Sequence, residues 1–243
     1  MNRQSRKNAL GRVMLNELQQ AVRTCHNNPA VRAVVLTSAV DGVFCAGADL
    51  KERKEMTPDE ARAFVDQLRQ TFCEIEDLSV PCIAAVEGKA LGGGLELALA
   101  ADLRVAGSKA GFGVPETALA IIPGAGGTQR LTKTIGLPRA KLMAFTAKPL
   151  PTTVALQYGL IDLALEEGQA TTAATALAHQ ISENGPIAVG AAKKAINRGF
   201  YASSRDEGMA IERECYDLVL NSKDRLEGLF PFAEKRKPEY KGE

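Results

Sequence analysis

The chain contains no tryptophan, two histidines, five cysteines and only 5% aromatic residues. His26 follows the end of an expected helix and His179 sits in a polar-flanked helical stretch. Both read as surface residues, so neither a histidine-based triad nor a histidine-rich metal centre is expected. Cys25, Cys45, Cys73, Cys82 and Cys215 are scattered, odd in number and form no C-x-x-C pair. That pattern predicts reduced thiols in an intracellular protein and no zinc site. No sign of charge dominates: 30 Lys and Arg stand against 29 Asp and Glu, a net charge of +1. The chain therefore lacks the global basic field of a nucleic-acid or membrane-surface protein. Long apolar runs are missing too, since the stretch around Leu91–Leu103 is broken by Glu96 and Asp102. The basic segment from Met1 to Lys7 lacks the apolar core of a secretory signal and is too short to read as a transit peptide.

What remains is an ordinary globular composition, 45% hydrophobic over 243 residues, enough to bury a large core in one domain or two. Residues 11–24 read as an amphipathic helix with Val13, Met14, Leu18, Ala21 and Val22 on its apolar stripe. Residues 31–37 are β-branched and apolar, the pattern of a buried strand. Residues 44–51 read as a small-residue turn. Thr57-Pro58-Asp59-Glu60 carries an N-cap threonine, a first-turn proline and a capping-box glutamate, predicting a helix to about residue 77. Strands are expected at 82–86 and 103–106, with a glycine turn and a helix to about residue 101 between them. Helices are expected at 139–145, 152–158, 171–183, 187–197 and 207–220, punctuated at Gly185-Pro186 and over residues 224–228. Strands alternating with helices early and helices alone late indicate an α/β core followed by a helical C-terminal portion.

Two glutamates twenty residues apart, each set among glycines, are the main chemical signal. Glu96 follows Gly92-Gly93-Gly94 at a helix start, among leucines and alanines that imply burial on nearly every side. A buried carboxylate needs hydrogen bonds or a raised pKa, which makes Glu96 a functional candidate. The alternative is a first-turn glutamate favoured by the helix dipole and reaching solvent. Glu116, after Pro115, read alone fits a plain helix start. The Gly92–Gly94 turn offers free backbone N–H groups, though it also fits a tight packing turn. It matches neither GxGxxG nor GxxxxGK[ST], so dinucleotide and P-loop binding fit poorly. Ala46-Gly47-Ala48-Asp49 is a turn with Asp49 as a possible helix cap.

Taken together and in order, these segments resemble the enoyl-CoA hydratase/isomerase (crotonase) family. The matching stretches are Phe44-Cys45-Ala46-Gly47-Ala48-Asp49-Leu50-Lys51, the run from Ala90 to Ala98, the run from Ile122 to Leu131, Lys223 to Gly228, and Phe232 to Arg236. The resemblance covers essentially the whole chain. It is closest to the methylglutaconyl-CoA hydratase branch, on Ala48 to Arg53, Gly94 to Ala100 and the ending Tyr240-Lys241-Gly242-Glu243.

The resemblance implies an α/β spiral of ββα turns over residues 1–185, with a helical trimerisation region over 186–243 and assembly as a homotrimer or homohexamer. It implies an oxyanion hole made by the N–H groups of Ala48 and Gly93, and Glu96 and Glu116 as catalytic acids holding a water, with the Gly124 N–H as a third anchor. Related isomerases commonly keep one of these acids, so both together favour hydration of a 2-enoyl-CoA. Coenzyme A contacts map onto Ser5, Arg6, Lys7, Ala46, Asp49, Leu50, Lys51, Phe232 and Lys235. No metal or separate cofactor is implied, acyl-CoA being the substrate. Family members begin with a strand pair that this chain lacks, so a first sheet without its edge strands and a lowered stability are expected. The compartment expected is the mitochondrial matrix for a eukaryotic protein with its presequence absent, or otherwise the cytoplasm. No membrane association is expected. RNA binding, described for a member of the same branch, is discounted as well. Lysines spaced four apart on the first helix of that member align here with Arg12, Asn16 and Gln20, one cation in three. Isomerisation, decarboxylation or a non-catalytic scaffold are the remaining rivals.

Overall fold

The computed structural model describes residues 1–234 and 237–243, with the backbone alone for 230–234. The chain divides into two units. The first comprises Met1–Thr24, Val35–Glu76 and Cys82–Thr175; the second comprises Cys25–Val34, Asp77–Pro81 and Ala176–Glu243.

The first helix, α1 (Arg12–Asn27), buries Met14, Leu15, Leu18 and Val22, a helical stripe, while Val13 lies on its exposed side. Strands β1 (Val34–Leu36) and β2 (Val43–Cys45) follow, then two helices, α2 (Leu50–Lys54) and α3 (Pro58–Glu76). The capping box of α3 is formed: Glu60 N–H donates to Thr57 Oγ1 at 3.3 Å, and Glu60 Oε2 accepts the Thr57 N–H at 2.9 Å. The apolar face of α3 buries Phe64, Leu68, Phe72 and Ile75. Strands β3 (Cys82–Val86) and β4 (Lys89–Leu91) lead into α4 (Gly93–Leu99), every residue of which is buried. Strands β5 (Leu103–Gly107) and β6 (Gly111–Gly113) lead into a 3-10 turn over Pro115–Leu119, then α5 (Gly127–Ile135) and α6 (Leu137–Thr146). The remaining elements are β7 (Leu150–Pro151), α7 (Thr152–Tyr158), β8 (Leu163–Leu165), α8 (Ala170–Ser182), α9 (Pro186–Phe200), α10 (Arg205–Leu220) and α11 (Lys223–Glu234).

The strand pairs are dealt alternately into two sheets. The order β1-β3-β5-β8 forms one sheet and β2-β4-β6-β7 the other. The β2-β4, β4-β6, β3-β5 and β5-β8 pairs are parallel and only the closing β6-β7 pair is antiparallel, so successive ββα turns stack as a spiral. Its pitch is set by the register: Ile83 pairs with Leu103 and Leu91 with Gly113, residues 20 and 22 positions apart. Strand β3 is buried along its whole length, as a parallel strand covered on both faces should be. Strand β1 ends its sheet and is half-buried.

Three local readings are corrected. Residues 44–51 are not all turn: β2 precedes the turn and α2 follows it, both too short to show a hydrophobic period. Asp224–Gly228 does not interrupt the helices but lies inside α11. There Asp224 accepts the Lys241 and Gly242 N–H groups at 2.8 Å each, and Gly228 gives room to Tyr240, whose Oη stands 3.2 Å from where a Cβ would sit. These polar and small residues serve the returning tail, not a break. Strands β4, β6, β7 and β8 have at most three residues each and leave no readable pattern. In the second unit α9 and α10 pack against one another, leaving Ile196, Phe200, Tyr201 and Tyr216 exposed.

Candidate active site

Everything below lies in the first unit. The turn after β2 is locked from the N-terminal segment. Buried Asn8 donates from Nδ2 to Phe44 C=O at 3.0 Å, Leu10 N–H donates to Gly47 C=O at 2.7 Å, and Asp49 N–H donates to Leu10 C=O at 3.1 Å. The Cys45 thiol donates to Asn8 C=O at 3.1 Å, and burial pushes its pKa up to about 12, so it stays protonated. Asp49 caps α2, accepting the Lys51 and Glu52 N–H groups at 3.2 and 3.4 Å, with Arg3 Nη1 3.0 Å from its Oδ2.

These bonds occupy the neighbours of Ala48 but not its own N–H. A matching vacancy arises at the start of α4, where Gly92 C=O accepts from Leu95 and Glu96 and leaves the Gly93 N–H over. Among the described residues neither N–H meets an acceptor. The two lie together: a Cβ on Gly93 would stand 3.8 Å from Ala48 N, and one on Gly47 would stand 3.4 Å from Gly93 N. Gly92 has φ 52° and ψ −124°, backbone only glycine adopts without strain, and this turns the start of α4 toward Ala48. Two convergent N–H groups at a helix N-terminus form a site for a developing oxyanion.

Glu96 and Glu116 meet in the same cavity, of about 200 Å³, which Ala48, Gly93 and Gly124 also line. Glu96 is 3% exposed, and its Oε1 accepts N–H bonds from Ala125 at 2.8 Å and Gly127 at 2.7 Å. Burial raises its pKa, opposed by those two N–H bonds and by the charges of Arg130 and Arg69. Glu116 is 9% exposed, and its Oε2 is buried without a hydrogen-bond partner among the described residues. Burial, and secondarily the charge of Glu96, push its pKa up to about 7. The pair is therefore asymmetric, one carboxylate held by the backbone and the other poised to exchange a proton near neutrality. Apart from Arg53, the remaining wall is apolar, with Val65 and Leu68 of α3 and Leu91, Leu119, Ile121 and Ile122.

Of the other sequence candidates, Ala46 and Leu50 line this cavity, and Lys51 is exposed on α2. Ser5, Arg6 and Lys7 are exposed, and Lys7 C=O accepts the Ala46 N–H at 3.1 Å. The carboxylate of Asp49 is taken up by Arg3 and the α2 cap, which leaves its backbone as the part able to face a ligand. The Phe232 side chain and Lys235 lie outside the described residues. Arg12, Asn16 and Gln20 are all exposed on α1, and Arg12 lies 3.4 Å from Glu60, so this face offers little unpaired positive charge.

Sequence reasoning missed the second layer. Arg130 is buried, pairs with Glu76 at 2.8 Å and donates from Nη1 to Ala125 C=O at 3.0 Å. Arg69 donates to Gly124 C=O at 3.0 Å. Two arginines thus pin the carbonyls of the loop whose N–H groups hold Glu96. The signal available was an arginine on an amphipathic helix, which more commonly faces solvent.

A family model described as enoyl-CoA hydratase/isomerase matches residues 1–243. Human methylglutaconyl-CoA hydratase, mitochondrial, is 47% identical, over all of this chain and 73% of its own length. An Arabidopsis thaliana protein named "Probable enoyl-CoA hydratase 2, mitochondrial" is 50% identical over all of this chain and 80% of its own. The crystal structure of an enoyl-CoA hydratase from Bacillus anthracis superposes with a TM-score of 0.96 at 44% identity, covering 99% of this chain and 93% of that one. With path, length and sequence in agreement, this chain belongs to the enoyl-CoA hydratase/isomerase family and has its α/β spiral fold.

Proposed function

We infer that the protein is an enoyl-CoA hydratase, adding water reversibly across the 2,3 double bond of a 2-enoyl-CoA thioester. The observation that carries this is the cavity in which two buried carboxylates face two unengaged backbone N–H groups. The thioester carbonyl sits on the N–H groups of Ala48 and Gly93. Water lies between Glu96 and Glu116, with Gly124 N–H as a third anchor. Its oxygen bonds to C3 as one of its protons passes to a carboxylate, and the π electrons move to the carbonyl oxygen, giving an enolate. The other acid, protonated, gives its proton to C2 as the carbonyl re-forms, and the proton taken from water restores the pair to its starting state, the two acids titrating as a coupled pair. The N–H pair acts on charge present only after attack, the kind of interaction that lowers a barrier and not merely KM; loss of one such donor elsewhere costs about 3 kcal/mol.

This mechanism draws on no metal or redox group, with acyl-CoA as the substrate. Coenzyme A runs along Ala46, Leu50 and Lys51, near Ser5, Arg6 and Lys7. The small cavity suits a short acyl group, and relatives named methylglutaconyl-CoA hydratase make 3-methylglutaconyl-CoA a candidate beside crotonyl-CoA. The exposed Phe200 and Tyr216 of the helical unit support burial against further copies, as a homotrimer or homohexamer. Mitochondrial relatives support a matrix location, and a Bacillus subtilis relative supports the cytoplasm if the source is bacterial. No helix among the described residues is long and apolar enough to cross a membrane. The deciding experiment follows the loss of enoyl absorbance with crotonyl-CoA and 3-methylglutaconyl-CoA. Turnover of at least one ester is expected, and no turnover of either would sink the reading.

A further inference from the structure

Two residues one turn apart on α3 hold Gly124. Val65 fills the space beside it: a Cβ on Gly124 would stand 2.9 Å from Val65 Cγ1. Four residues on, Arg69 Nη2 donates to Gly124 C=O at 3.0 Å. Residues at i and i+4 share a helix face, so one face of α3 meets both the α-carbon and the carbonyl of this glycine. In other respects Arg69 is a surface residue, its side chain 55% exposed and its Nη1 3.2 Å from Asp66 Oδ1. An exposed ion pair of that kind contributes little by itself.

What sets Arg69 apart is the peptide it holds. Gly124 C=O and Ala125 N–H are the two ends of one planar group, and that N–H donates to Glu96 Oε1 at 2.8 Å. A guanidinium on the oxygen therefore fixes the direction of the N–H and, being charged, polarises it toward the carboxylate. Arg130 has a different place. It donates to Ala125 C=O, whose peptide ends in the Gly126 N–H, while Glu96 takes its two bonds from Ala125 and Gly127. The charges facing Glu96 from the surrounding elements are those of Arg130 on α5, Arg69 on α3 and Glu116 on the 3-10 turn, with Arg53 of α2 in the same cavity wall. Both Arg130 and Arg69 oppose the upward push of burial on Glu96.

Resting on the hydratase reading, we propose that Arg69 is a positioning residue for the reaction: from the surface of α3 it aims the Ala125 N–H at Glu96 and so sets where that carboxylate meets the water. Arg69 does not line the cavity, and it acts only through the Gly124–Ala125 peptide. In the same reading the thioester is held by Ala48 and Gly93, away from this loop. The effect of Arg69 therefore falls on kcat and leaves KM nearly alone.

Arg69→Met in the full chain, assayed with the better of crotonyl-CoA and 3-methylglutaconyl-CoA, should lower kcat by about 5–50-fold with KM changed less than about threefold. Loss of the cation also lets the coupled acids hold their protons to higher pH. The limb of kcat/KM near neutrality should then move up by about half a pH unit, a small shift because water screens this exposed charge. Arg69→Lys keeps a cation and a donor, so it should restore the limb and part of kcat, and it carries the test if the methionine variant does not fold. A merely structural arginine would lower Tm and kcat together, leave the limb in place and show no such recovery. That result would overturn the proposal, as would wild-type kcat and limb in both variants. A carboxyl-carbon NMR titration of Glu96, assigned against Glu96→Gln, needs no substrate and should show the same upward move in Arg69→Met. An unmoved Glu96 in an active hydratase would overturn the role of Arg69 alone. A wild-type protein that hydrates neither ester would remove the hydratase reading, and the Glu96 titration would still decide whether Arg69 acts on that carboxylate.

Discussion

Gly127 donates its N–H to Glu96 Oε1 at 2.7 Å, and a side chain on this glycine would begin 2.8 Å from the same oxygen. One backbone position thus both supplies the hydrogen bond and makes the space that lets the carboxylate approach. Pro123 closes the other side, 2.9 Å from the same hypothetical Cβ. In Gly127→Ala either the carboxylate or the loop must therefore move. The expected result is a loss of about 1–3 kcal/mol in stability and a fall of about 10–100-fold in kcat for enoyl-CoA hydration. A variant with wild-type kcat would show that Glu96 needs no such placement.

Glu96→Gln and Glu116→Gln keep the shape of each side chain and remove its charge. Each should lower kcat by about 100- to 10,000-fold, since each removes a proton-transferring group. The double variant should be little worse than the more damaging single one, because the two act on one water as a unit. Steady-state hydration of crotonyl-CoA by the three variants provides the check, and near-wild-type rates in both single variants would sink the mechanism.

The raised pKa of Glu116 predicts a particular pH dependence. In the unfolded chain this carboxyl titrates at 4.5, and in the folded protein at about 7. Between those values the folded state binds the extra proton, so unfolding releases it and stability falls as pH rises. The contribution is fully present below about pH 4.5 and is lost as pH passes through about 7. Glu116→Gln should therefore gain in Tm over the wild-type protein as pH increases from 5 to 8 (roughly one proton's linkage). A Tm difference constant across that range would contradict the assignment. The activity profile should have a limb near neutrality that the same variant loses.

Arg130 is not positioned to touch substrate, and it acts through Ala125. Removing it in Arg130→Met takes an ion-pair partner from Glu76 and a donor from the Ala125 carbonyl. The expected cost is about 2–4 kcal/mol, toward the low end because Glu76 keeps partial access to solvent. A purely structural role would lower Tm alone. A positioning role also displaces the pH limb of the remaining activity, because the Arg130 charge holds the Glu96 pKa down. Titrating kcat/KM in Arg130→Met and Arg130→Lys, with partial recovery expected in the lysine variant, tells the two apart.

Elements with a long period or strong caps were legible in the chain. The capping box at Thr57–Glu60 and the strand β3 form where their residues predict, and the α1 stripe forms on Met14, Leu18 and Val22, while Val13 and Ala21 are exposed and Leu15 takes their place. Asp49 was legible as a cap, and its carboxylate does that work with Arg3. The three-residue strands were not legible, because a strand that short has no alternation to read and is held by its neighbours in the spiral. Residues 224–228 misled, since polar and small residues that signal a break also suit a helix receiving a returning tail.

Sequence by itself determined the chemistry on offer: two acids among glycines, without a histidine triad or a dinucleotide loop. Their spacing already held the decisive number. Glu96 and Glu116 lie twenty residues apart, and the parallel register pairs Ile83 with Leu103 and Leu91 with Gly113, so one turn of the spiral brings the two segments side by side. Only the tertiary structure decided what each acid became. Glu96 received two backbone donors because the 125–127 loop, pinned by Arg130 and Arg69, closes over it. Glu116 was left buried with an oxygen that meets no partner among the described residues and a pKa of about 7. Burial and hydrogen-bond supply depend on residues far away in the chain, and they, not the residue type, set a carboxylate's proton affinity.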